Sequence, residues 1–103
     1  MSDLPLMPEA LRHSWRNLSA LIEATAERQV VPCFNGTDVP RMWWTSDDQR
    51  QRAEAATACA ICPVLTQCSQ YGIDNPKEVG VYGGMSERQR VKVAREISER
   101  TAA

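Results

Sequence analysis

Four cysteines stand in the order C-x25-C-x2-C-x5-C, as Cys33, Cys59, Cys62 and Cys68, and this spacing limits the fold more than any other feature of the chain. A C-x2-C pair such as Cys59 and Cys62 lets two sulfurs converge on one centre. Cys68 adds a third from the following segment, and Cys33 reaches back to a loop far upstream. A site built from all four ties three parts of a 103-residue chain together. A chain this short buries only about 60–70% of the surface it exposes when unfolded. A metal, a disulfide or a partner is therefore expected to add to its stability.

Nothing in the first ten residues resembles a secretory signal: Asp3, Pro5, Pro8 and Glu9 interrupt them, and no apolar run follows. No stretch of about 18 apolar residues occurs that could span a membrane. The expected compartment is the reducing cytoplasm, where cysteines serve as metal ligands or redox groups more often than as structural disulfides. Four thiolates without a nearby histidine suit an all-cysteine zinc site or an iron–sulfur cluster. The single histidine, His13, lies in the first helical segment and reads as a surface group. Structural zinc sites usually take two close pairs, whereas a cluster tolerates one close pair with wider spacings. Spacing leans towards iron–sulfur and leaves zinc open. A thiol–disulfide pair at Cys59 and Cys62 is a third reading, weakened by the lack of a βαβ pattern around it.

The rest of the chain predicts a small all-α domain of four helices. Leu11, Trp15, Leu18, Ile22 and Thr25 alternate by four and three, giving a helix from about Pro8 to Gln29 with one apolar face. Val30 to Thr45 contains Pro32, Gly36 and Pro40 and reads as an extended loop. Ser46 with Gln49 forms a capping-box pattern for a second helix that closes at Cys59. Pro63 opens a short third helix through about Tyr71. Glu78 to Tyr82 reads as a short extended piece ended by Gly83-Gly84. Ser86 with Gln89 caps a last helix to about Arg100. Residues 1–85 are expected to form the main body, and 86–103 a short basic helix. Five basic and three acidic residues follow Ser86, and the remainder carries seven basic and ten acidic. The overall charge of −1 gives no global reason to bind nucleic acid.

Two motifs in this order resemble the WhiB-like family of actinobacterial iron–sulfur regulators. One is the lone cysteine followed by C-x2-C-x5-C, here Cys59-Ala-Ile-Cys62-Pro-Val-Leu-Thr-Gln-Cys68. The other is the turn Gly80-Val81-Tyr82-Gly83-Gly84, where the family usually has Gly-Val/Ile-Trp-Gly-Gly. Trp43-Trp44 is also similar to a Phe-Phe-type segment common in the family. The resemblance covers roughly Cys33 to the end. Tyr82 replaces the usual tryptophan, the gap after Cys33 is long, and the tail lacks a dense Arg/Lys cluster.

The resemblance implies a [4Fe–4S] cluster on Cys33, Cys59, Cys62 and Cys68 and a redox-sensing, non-enzymatic role in transcription regulation. It implies binding to the C-terminal domain of the primary sigma factor, within the RNA polymerase holoenzyme, with promoter DNA contacted in that assembly. The implied sigma-factor interface comprises Trp15, Trp43, Trp44, Gly80, Val81, Tyr82, Gly83 and Gly84. The cations available for DNA are Arg88, Arg90, Lys92 and Arg95.

Overall fold

The computed structural model describes residues 9–102, and the fold is all-α. Helix α1 spans Glu9–Ala26, α2 Pro32–Asn35, α3 Gln49–Ala58, α4 Leu65–Asp74 and α5 Glu87–Ala102. Two 3-10 turns, Arg41–Thr45 and Cys59–Ile61, precede and follow α3. The expected start at Pro8 lies outside the described residues, as do the side chains of Leu11 and His13.

The segment expected as an extended loop, Val30 to Thr45, instead holds α2 and the first 3-10 turn. Tertiary hydrogen bonds explain the difference. Asn35 accepts from the Val31 N–H at 2.7 Å and donates to the Ala26 carbonyl at 3.0 Å. One side chain thus caps the end of α1 and locks the single turn that carries Cys33. The capping residue of α3 also differs from expectation. Asp48, not Ser46, is the N-cap, and its carboxylate accepts from the Gln51 N–H at 3.0 Å. Ser46 lies two residues too early and bonds the Gln51 side chain instead. The last helix starts as its capping box predicts: Ser86 N–H donates to Gln89 Oε1 at 2.8 Å, and Gln89 N–H to Ser86 Oγ at 3.3 Å. The third helix begins at Leu65 and runs to Asp74, later at both ends than expected. Glu78 to Tyr82 forms no strand, and the ladder is reduced to one bridge, Tyr82 to Met85, across the glycine turn.

The buried core is small. Trp44, Ala55, Cys59 and Val81 form its centre, with Cys33, Trp43 and Leu65 packed against them. Trp44 is 6% exposed and Trp15 44%, so the aromatics divide between interior and surface.

The carbonyls of the irregular loop from Asn75 to Gly80 are gathered by one side chain. Arg90, on α5, has no exposed surface. Its Nη1 donates to the carbonyls of Gly72, Asn75 and Pro76 at 3.4, 3.1 and 3.1 Å. Its Nη2 donates to those of Glu78 and Gly80 at 2.6 and 2.7 Å. The guanidinium also lies 5.1 Å from the Tyr82 ring centroid. A loop without a ladder leaves its carbonyls orphaned, and a planar fork with five N–H groups can collect them. This corrects the expectation that Arg90 is available to DNA. It sits on the α5 face opposite Arg88, Lys92 and Arg95, and its charge is spent on the backbone. Arg90→Ala is expected to cost roughly 3–5 kcal/mol, because buried acceptors lose a charged partner. Arg90→Lys should recover less than half of that, since an ammonium lacks the fork. Urea unfolding followed by helicity measures both, and a loss below about 1 kcal/mol in Arg90→Ala would contradict the clamp.

Candidate metal centre

Each cysteine is placed by a local backbone device. Cys33 is the second residue of α2. Cys59 ends α3 and opens the 3-10 turn, and the Cys62 N–H closes that turn onto the Cys59 carbonyl at 2.9 Å. Cys68 enters the first turn of α4, its N–H bonded to the Val64 carbonyl at 2.9 Å. All four are free thiols, and all four line one cavity of about 260 Å³ walled by Leu18, Trp44, Val64, Leu65 and Val81. The all-cysteine donor set suits an iron–sulfur cluster or a single zinc ion alike. A larger open groove, about 740 Å³, runs between the Val30 to Val39 stretch and α3, and no cysteine lines it.

N–H groups are directed at the sulfurs. The Gly83 N–H donates to Cys68 Sγ at 3.1 Å, and the Trp44 indole N–H to Cys59 Sγ at 3.3 Å. The Val64 N–H faces Cys62. Gly83 has φ +58°, and a Cβ there would lie 2.5 Å from Ser69 Cα. Only glycine lets the turn come this close to α4 and aim its N–H at Cys68. Val81 N–H donates to the Trp44 carbonyl at 2.8 Å, tying the turn to the first 3-10 segment. Glu87 accepts from the Gly80 N–H at 3.0 Å and forms an ion pair with Arg52.

The structure separates the residues expected at a partner surface. Trp44, Gly80 and Val81, expected at the sigma-factor interface, are buried and line the cavity. Trp43, Tyr82, Gly83 and Gly84 are half-buried. Tyr82 is packed rather than free: its ring lies 5.3 Å from Tyr71, which in turn lies 6.0 Å from Trp15. Trp15 remains open at the cavity mouth with Val79, which is 69% exposed. Arg88, Lys92 and Arg95 are exposed on α5. Sequence reasoning missed Val79 and Glu87; helical phase at 100° per residue already sets Arg90 opposite the other three cations, but its role as a backbone clamp was not foreseen.

Burial and mutual repulsion govern the thiols. Burial first, then the neighbouring Cys59 and Cys62, pushes Cys33 up to about 11. Burial pushes Cys68 up to about 12 against the Gly83 N–H, which lowers it. Cys62 is also raised, chiefly by burial. These folded values lie above the ordinary thiol value of 9.0, so the stability linked to them is fully present below pH 9. It is lost as pH rises towards 11 and 12. Metal-free protein is therefore expected to lose helicity between about pH 9 and 11. Protein whose thiolates are neutralised by bound cations should hold its helicity there. Circular dichroism of both forms across that range tests this, and parallel curves would contradict it.

Residues 29–93 match the family described as Transcription factor WhiB. Over 47 residues the chain is 45% identical to the transcriptional regulator WhiB2 of Bifidobacterium longum, covering 46% of this chain and 48% of that protein. Over 37 residues it is 51% identical to WhiB4 of Mycobacterium tuberculosis, covering 36% and 31%. Over another 37 it is 40% identical to WhiB of Streptomyces coelicolor, covering 36% and 42%. The matched stretches thus span about half or less of those relatives. No solved structure matches the chain. The family match covers more than half of the sequence and contains all four cysteines and the glycine turn, and the chain belongs to the WhiB family.

Proposed function

We propose that this protein is a transcription regulator that holds a [4Fe–4S] cluster on Cys33, Cys59, Cys62 and Cys68 and binds the C-terminal domain of the primary sigma factor. One observation carries the reading: four free thiols from three separate segments line one mainly apolar cavity of about 260 Å³. When bound, the cluster would supply a cationic iron–sulfide core that offsets part of the four thiolates' charge, together with redox chemistry. The chain's own residues do the rest. Leu18, Val64 and Trp44 keep water from the sulfurs, and the Gly83 N–H orients Cys68. The names of the relatives, all transcriptional regulators, support the regulatory role.

The partner surface is the apolar rim of the cavity, centred on exposed Trp15 and Val79 and flanked by the half-buried Tyr82 and Trp43. An open tryptophan beside a buried aromatic stack is a favourable anchor for a partner. Trp44, Gly80 and Val81 support this rim from behind. Promoter DNA is reached within the RNA polymerase assembly, with Arg88, Lys92 and Arg95 on the exposed face of α5.

Anaerobic co-purification with the sigma domain tests both halves. The expected complex is brown. Cys59→Ala should be colourless and bind no sigma domain. Trp15→Ala should remain brown and bind about 5- to 150-fold more weakly, the equivalent of ~1–3 kcal/mol. Colourless parent protein would overturn the cluster, and parent-like binding by Trp15→Ala would overturn the surface. For DNA alone, three exposed cations allow a salt slope of about −3 at most. Anisotropy titration of the loaded protein at physiological salt should show weak binding without sequence preference. Tight, sequence-selective binding would contradict the count of available cations.

A further inference from the structure

We propose that Trp44 is a positioning residue for the cysteine site, whose indole N–H holds the Cys59 sulfur and raises the reduction potential of the bound cluster. This rests on the cluster reading above.

A tryptophan walling a cavity needs only its apolar ring, and phenylalanine would serve. Trp44 does more. Its ring is 6% exposed and Cys59 is 7% exposed, so neither group has water to fall back on. A buried indole N–H demands an acceptor, and the acceptor here is Cys59 Sγ at 3.3 Å. Three features fix the indole in this orientation. Trp44 lies in the 3-10 turn Arg41–Thr45, whose Trp43 N–H is bonded to the Pro40 carbonyl at 3.0 Å. Its own carbonyl is held by the Val81 N–H at 2.8 Å. Gly80, with φ +111°, lets the turn approach that carbonyl, where a Cβ would stand at 3.0 Å. The ring then packs against Ala55 and Val81.

A sulfur lone pair engaged by an N–H is a weaker donor to metal. Hydrogen bonds to ligand sulfurs stabilise the electron-rich state of a cluster and move its potential upward. Cys59 is the one cysteine of the set that receives a side-chain N–H among the described hydrogen bonds; Cys68 receives a backbone one from Gly83. Side-chain identity can therefore alter the Cys59 bond without altering the backbone. In the one-electron couple, the electron comes from the electrode or an added reductant, and no covalent bond of the protein is made or broken.

The test is protein-film voltammetry on the cluster-loaded protein, comparing the parent with Trp44→Phe and with a parent in which benzothienylalanine replaces Trp44. That isostere keeps the bicyclic ring and substitutes sulfur for the N–H. The expected result is a midpoint potential shifted to more negative values in both replacements. Resonance Raman should show the terminal iron–sulfur stretch moving to higher frequency in both, as the Cys59 bond to metal strengthens. If the isostere matches the parent while Trp44→Phe shifts, packing is responsible and the proposal fails. Equal potentials in all three forms also overturn it, and leave the cluster reading standing. Parent protein without iron overturns both together.

Discussion

Four cysteines lining one cavity are the constraint on which the rest of this protein depends. Cys59 belongs to the central core itself, beside Trp44, Ala55 and Val81, and Cys33 packs directly onto it. In a larger protein a metal site is an addition to a core that exists without it. Here the site occupies the place where the core would be. Burial, with neighbouring thiols adding to it, raises the pKa values of Cys33 and Cys68, so the metal-free fold holds both as neutral thiols.

The glycine turn and α5 extend this constraint outward. The turn reaches Cys68 through the Gly83 N–H and Trp44 through the Val81 N–H. Behind it, Arg90 gathers the loop carbonyls, and Glu87 holds the Gly80 N–H. The basic helix is thereby coupled to the cysteine site through its inward face, and it keeps Arg88, Lys92 and Arg95 outward. One helix thus serves the site with one face and leaves cations on the other. A partner seated over Trp15 and Val79 would contact the same mouth from the open side.

Much of this was legible in the sequence, for identifiable reasons. Spacing of the cysteines and the turn motif identified the family region, and reciprocal capping at Ser86 and Gln89 located the start of α5. These signals are local and need no tertiary context. The single-turn helix at Cys33 was not legible, because Asn35 stabilises it through bonds to the end of α1. The capping pattern pointed to Ser46, whereas the N-cap is Asp48, whose carboxylate takes the Gln51 N–H. Helical phase set Arg90 apart from the other three cations, but its partners are backbone carbonyls, which carry no sequence signature, so the clamp itself was not legible. For the adjacent tryptophans, only the fold decides that Trp44 faces inward while Trp43 stays at the margin.

The central claim is that the four cysteines hold a multinuclear iron–sulfur group and not a single ion. Iron, zinc and acid-labile sulfide counted per chain in anaerobically purified protein test it most directly. About four irons and about four sulfides per chain are expected. About one zinc per chain, with no sulfide, would contradict it.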